Sequence, residues 1–171
     1  MEGTVLVNNL RLFTRRRTPD WQHFELTEML SQVCSSLETG AAKRAIQIQQ
    51  SFPLALTLFG DSLLIRKAIT NLVENAMEAM PRGGTVHVGA TSDAMATEIQ
   101  VQDGGRGIES YDVERIFHPF FTTKAGALGL GLAIVRQVAE THGGMIRVAR
   151  VNSGGSLVSL RLPHRRVRQA A

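Results

Sequence analysis

The 171-residue chain predicts an α+β fold: a two-layer sandwich whose mixed, mostly antiparallel sheet carries helices on one face, plus a short N-terminal helix. Two patterns predict it. Apolar residues recur at helical spacing in some stretches and alternate with polar ones in others. The alternating runs come as neighbours joined by short turns, which favours antiparallel pairing, and the interspersed helices must bury their stripes on a shared sheet. A composition of 43% hydrophobic and 20% charged residues is that of a globular chain able to build a core.

Each element follows in order. Leu6, Leu10 and Phe13 fall on one helical face within residues 1–17, and Thr18-Pro19-Asp20 ends that helix. Phe24 and Leu26 suggest a short strand. Thr27 reads as the N-cap of a helix with the stripe Met29, Leu30, Val33 and Leu37, closing near Gly40. Ile46 and Ile48 alternate as a strand, and so do Leu54, Leu56 and Leu58. Asp61 is the expected N-cap of a helix to about Met80, with Ile65, Ile69, Leu72 and Ala76 on its apolar face and Pro81-Arg82-Gly83-Gly84 as its stop. Strands follow through Val86, Val88 and Ala90 and through Ile99 and Val101. Residues 110–116 read as a short helix, 117–128 as a loop, and 130–141 as a helix closed by a left-handed Gly143. The last two strands cover 145–151 and 157–162.

Several function classes are excluded or disfavoured. No apolar run approaches the roughly 20 residues that cross a bilayer. One cysteine, Cys34, rules out an internal disulfide and paired-cysteine zinc sites, and fits a cytoplasmic setting. The net charge of +4 gathers at Arg15–Arg17 and Arg161–Arg168, but no aromatic platform accompanies it, so the basic ends read as solvated tails, not a nucleic-acid surface. No membrane contact is expected.

Three clusters point to nucleotide chemistry. Asn71, Asn75 and Glu78 share a helix face, taken to lie opposite Leu72 and Ala76, and asparagine is a mediocre helix former. Amide oxygens are hard ligands suited to Mg²⁺, which completes its shell with phosphates and water; an exposed polar face would carry the same residues. Asp103-Gly104-Gly105-Arg106-Gly107 follows a strand, and its carboxylate can accept from an exocyclic amine while the glycines admit a ligand. Gly126-Ala127-Leu128-Gly129-Leu130-Gly131 opens a helix, where free N–H groups and the dipole favour phosphate. Neither a Rossmann fingerprint nor a P-loop is present. Gly154-Gly155-Ser156 reads as a hairpin turn from which Ser156 could reach a purine.

In this order the segments resemble the ATP-binding domain of sensor histidine kinases. The asparagine box is Asn71-Leu72-Val73-Glu74-Asn75-Ala76, and the first glycine box runs from Asp103 to Gly107. Phe117-His118-Pro119-Phe120-Phe121-Thr122-Thr123-Lys124 matches the phenylalanine box, and Gly129-Leu130-Gly131-Leu132 the second glycine box. The Phe-Phe-Thr-Thr-Lys wording looks most like the nitrogen-regulation branch. The resemblance implies ATP and Mg²⁺ as cofactors. Asn71 and Asn75 would hold the metal, and Asp103, Gly105 and Gly107 the adenine. Lys124, Gly126, Gly129, Leu130 and Gly131 would meet the phosphates, with Ser156 near the base; Asn71 and Lys124 would serve phosphoryl transfer. The γ-phosphoryl group would pass to a histidine on a dimerisation domain, in a homodimeric parent, and on to a response regulator receiver domain.

Departures sharpen the expectation. Ala127 and Leu128 stand where the family has Gly and Thr, which removes a hydroxyl contact to phosphate; His118 replaces an acidic residue. None of the five histidines fits an acceptor motif. Leu10-x-x-Phe13-x-Arg15 before Pro19 resembles the end of the family's second dimerisation helix, which implies a remnant of that helix over 1–18, a catalytic domain over 19–164 and a basic tail over 165–171. A serine kinase of the anti-sigma-factor type and a non-catalytic interaction module with this fold are the alternatives.

Overall fold

The computed structural model describes residues 18–108, 115–122 and 128–164. The expected N-terminal helix over 1–17, most of the short helix over 110–116, the tail over 165–171, and Lys124, Gly126 and Ala127 lie outside the described residues. Strand β1 (Gln22–Glu25) leads into helix α1 (Leu26–Ala42), then strands β2 (Ile46–Ser51) and β3 (Thr57–Gly60). Helix α2 (Ser62–Glu78), strand β4 (Gly84–Ser92) and strand β5 (Ala96–Gln102) follow. A 3-10 turn at Arg115–Phe117 precedes helix α3 (Gly131–Thr141), and β6 (Met145–Arg150) and β7 (Ser156–Pro163) close the fold.

The sheet is five-stranded in the order β2-β4-β5-β7-β6. Only β2 and β4 pair in parallel; the β4–β5 and β6–β7 ladders are antiparallel, as their short turns require, and β5–β7 is antiparallel too. The mixed character comes from the β2–β4 crossover, which is long enough to carry β3 and α2. The expected single sheet has a companion: β1 and β3 form a separate antiparallel ribbon. Pairing there is decided by residues distant in sequence, so neither strand's own pattern reveals it.

The core lies between the helices and one face of the sheet. Ile65, Ile69 and Leu72 of α2, Ile134 and Val138 of α3, and Leu30 and Val33 of α1 meet Val86, Val88, Ile99 and Leu160. Each such side chain contributes roughly 1.5–3 kcal/mol on burial, which holds these short helices in place.

Local expectations hold or fail for identifiable reasons. Asp61 caps α2: its Oδ1 accepts from the N–H groups of Leu63 and Leu64, both at 3.1 Å. Gly143, at φ 69°, ends α3 as expected. Thr27 is not an N-cap. The helix begins two residues earlier than that cap implies, with Glu25 at the cap position, and the Thr27 hydroxyl donates instead to the Pro53 carbonyl at 2.9 Å. In the run Leu54, Leu56, Leu58 only Leu58 is buried in a strand; Leu54 is 99% exposed, since Pro53 holds it outside the ribbon.

Candidate functional site

Helix α2 brings Asn71 and Asn75 to the wall of a cavity of 670 Å³ between α2, the end of β5 and the start of α3. Asn71 is 6% exposed, so it is not part of a solvated face. Leu72 and Ala76, expected on the opposite side of the helix, border the same cavity, because the wall spans a broad arc of α2. The Nδ2 groups of Asn71 and Asn75 are buried and have no hydrogen-bond partner among the described residues. An unsatisfied buried amide costs about 1–3 kcal/mol, so two adjacent ones point to a ligand that satisfies them. The two ends of an amide are isosteric: the nitrogen can donate to a phosphate oxygen, and the oxygen, turned inward, can ligate a cation.

The start of α3 faces these amides. Leu130, at its N-cap position, makes no side-chain capping bond, so the first-turn N–H groups are left for a ligand or solvent. A Cβ on Gly131 would lie 3.2 Å from Asn75 Nδ2, so the lack of a side chain lets helix and amide close up. Gly129 has φ 67°, and a Cβ there would run into the Phe121 carbonyl. Its carbonyl also accepts from Phe120 N–H at 3.0 Å, which ties the phenylalanine segment to the glycine turn. Arg115 lies over the Phe121 ring at 4.7 Å.

Asp103, 6% exposed, ends β5 at the opposite wall. Its N–H donates to the Ser156 carbonyl at 2.9 Å, and its Oδ1 accepts from Gly105 N–H at 2.8 Å. Gly105 does not line the cavity; it packs where a Cβ would strike the Ala79 carbonyl, so it shapes the turn rather than touching a ligand. Gly107 has φ 77° and does line the cavity, as does the buried Ser156. Val101, Ile108, Ile116 and Val158 supply an apolar wall beside Asp103, suited to a flat heterocycle.

Residue-by-residue reading missed several contributors. Met80 is buried, and its Sδ accepts from Gly104 N–H at 3.4 Å, bracing the Asp103 turn from beneath. Glu74 stands one helical turn from Asn71 and lines the cavity. Desolvation is the main force holding its carboxyl above the usual range, with Glu78 adding to it and Lys67 and Arg44 opposing. Its i, i+3 spacing from Asn71 was the available signal. Leu128, 43% exposed, lines the cavity with an apolar side chain where a hydroxyl was expected from the family pattern.

The residues fit a magnesium-bound nucleotide. Among the described residues no cluster of three or more His, Cys, Asp or Glu could hold a metal ion. A Mg²⁺ site here would consist of the two asparagine amides together with phosphate oxygens and water, an oxygen-only set suited to that ion.

Residues 60–166 match the family model described as histidine kinase-, DNA gyrase B-, and HSP90-like ATPase. The sensor-like histidine kinase SenX3 of Mycobacterium tuberculosis is 35% identical over 164 residues, covering 92% of this chain and 40% of that protein. The chain thus spans about two fifths of that relative's length. The catalytic domain of the histidine kinase ThkA superposes with TM-score 0.79 at 29% identity, covering 84% of this chain and 95% of that one. ThkA in complex with the response regulator protein TrrA gives TM-score 0.83 at 25% identity, covering 96% of this chain and 48% of that one. No described helix is long and apolar enough to cross a membrane.

Proposed function

This chain belongs to the histidine kinase-, DNA gyrase B-, and HSP90-like ATPase family, and from that premise we propose that it binds Mg-ATP and transfers the γ-phosphoryl group to a histidine of a dimerisation domain in two-component signalling. The observation that carries the reading is the pair of unsatisfied amides on Asn71 and Asn75, set against the open N-terminus of α3 in one cavity with Asp103. In the parent protein, a cytoplasmic homodimer partner would present the acceptor histidine, and a response regulator would receive the phosphoryl group. The solved complex of ThkA with the response regulator protein TrrA supports a response regulator as partner.

Each residue has a part. Asp103 accepts from the adenine amino group, and the apolar wall beside it holds the ring plane. The glycine turn 129–131 and the first-turn N–H groups of α3 receive the phosphates. Asn71 and Asn75 would hold the metal, which would supply positive charge against the phosphates. Lys124 and Gly126, outside the described residues, would add to the phosphate contacts. An amide cannot take a proton, so Asn71 activates no water; the site favours transfer to another protein over hydrolysis, by positioning and charge stabilisation.

Calorimetry with Mg-ATP tests the reading. Wild type binds, and Asn75→Ala and Asp103→Ala each abolish binding while circular dichroism stays native. Wild-type affinity in both variants would refute the site, and no binding by wild type at millimolar ATP would leave a non-catalytic module. Mixed with a dimerisation domain and labelled ATP, the chain should place acid-labile, base-stable label on that domain; acid-stable label on serine would favour the serine-kinase reading.

A further inference from the structure

His142 is buried at 3% exposure, outside the nucleotide cavity, and takes no part in the chemistry above. Its ring bridges two helices. Nε2 accepts from Asp61 N–H at 3.0 Å, and Nδ1 lies 2.8 Å from the Val138 carbonyl, to which it donates in the tautomer that leaves Nε2 free to accept. Asp61 is the N-cap of α2, and a cap residue's own N–H is commonly satisfied by a Glu or Gln three residues on. Here that position is Leu64, and His142 supplies the acceptor from the far end of α3.

The consequence is geometric. Helices α2 and α3 run antiparallel: Gly131 meets Asn75 at one end, and His142 meets Asp61 at the other. The eleven residues of α3 span about 16 Å, so a tilt about the His142 end displaces Gly131 relative to Asn75. Gly60 leaves room for the clasp, since a Cβ there would lie 3.0 Å from the imidazole Nε2.

The segment entering the domain rests on the same point. The Trp21 indole packs edge-on against the imidazole at 5.0 Å and stacks on Phe59 at 5.9 Å. Asp20 N–H donates to Asp61 Oδ2 at 2.9 Å, and the Gln22 side chain donates to the Ser62 hydroxyl at 3.2 Å. Residues 20–22 thereby seat on the cap of α2 and the end of α3 together.

We infer that His142 is a positioning residue of the nucleotide site, clasping α3 to the cap of α2 and linking the seating of residues 20–22 to the fit between Gly131 and Asn75. This rests on the Mg-ATP reading above. The clasp works through one acceptor atom, so its effect follows whether a substitute keeps that atom.

The test is a series at position 142, with Mg-ATP affinity measured by calorimetry well below each variant's melting temperature. H142L leaves Asp61 N–H buried without an acceptor and should raise Kd about tenfold, within the range of coupling through packed helices. H142Q, whose side-chain oxygen reaches about as far as Nε2, should stay within about threefold of wild type. If H142L does not fold, H142N, too short to reach Asp61, takes its place. Trp21 is the chain's sole tryptophan, so its emission reports the junction directly. Emission should shift on Mg-ATP binding in wild type and H142Q and lose that response in H142L. Equal affinity in H142L and wild type, or equal loss in H142L and H142Q, overturns the positioning role. A wild-type emission that ignores bound Mg-ATP overturns the link to residues 20–22. Failure of wild type to bind Mg-ATP is a different result, which refutes the nucleotide reading itself.

Discussion

Gly131→Ala should separate stability from nucleotide binding. Gly131 is the first residue of α3, and it is not among the positive-φ residues, so alanine is sterically allowed by the backbone. Replacing a helical glycine gains up to about 1 kcal/mol, part of it from a less flexible unfolded chain. The new methyl would lie 3.2 Å from Asn75 Nδ2 and 3.6 Å from Oδ1. Comfortable contact needs about 3.5–4.0 Å, so the amide must retreat by a few tenths of an ångström. Binding groups must hold position to about 0.5 Å, and a hydrogen bond to a charged partner contributes about 1.5–3 kcal/mol. Loss of much of that contact weakens Mg-ATP binding about ten- to a hundredfold. Calorimetry supplies the affinity, and thermal melting supplies the control: the midpoint should hold or rise by a few degrees, about 2–4 °C per kcal/mol for a chain of this size. Affinity within about twofold of wild type would refute the argument that Gly131 exists to admit Asn75. A lowered melting point with proportionate affinity loss would refute it too.

The same contacts set further outcomes. Asp61→Ala removes the cap on Leu63 and Leu64 and the bond from Asp20, and urea denaturation should show a loss of about 1–2 kcal/mol. Burial pushes the Cys34 thiol up to about 11, with Glu38 reinforcing the shift. The unfolded chain then releases that proton at lower pH than the folded one, so this contribution is intact below about pH 9 and declines as pH rises toward 11, by about 2–3 kcal/mol in all. Cys34→Ala should remove that alkaline slope, whatever it does to stability at pH 7; an unchanged slope in urea titrations would refute the assignment. Met80→Leu keeps the volume but removes the acceptor for Gly104 N–H, so it should weaken Mg-ATP binding about threefold with stability changed by less than about 1.5 kcal/mol.

Much of the site was legible because its chemistry is local. Asn71 and Asn75 show one-turn spacing, Asp103 ends an alternating strand before glycines, and Gly129 and Gly131 open a helix. Each is a pattern of a few residues that constrains backbone and ligand together. Glu74 was hidden inside the same helical repeat, and Met80 read only as the last apolar residue of a stripe. The β1–β3 ribbon was illegible for a related reason: its partners are separated by the whole of α1 and β2, so neither strand's own pattern names the other.

The sequence by itself determined the periodicities, the breaks between them, the Asp61 cap and the residue types able to meet a nucleotide. Tertiary structure decided which faces those residues show. Asn71 could have belonged to a solvated face; packing of α2 against α3 buries it, leaves its amide nitrogen unpaired and makes it a candidate ligand. His142 read only as a histidine without an acceptor motif until Asp61, 81 residues away in the chain, was brought to its Nε2. Helical and strand periods arise from steric rules acting within a few residues, so they can be read along the chain. Burial, an unsatisfied donor or a shared acceptor depends on atoms distant in sequence, and only their meeting in space assigns them.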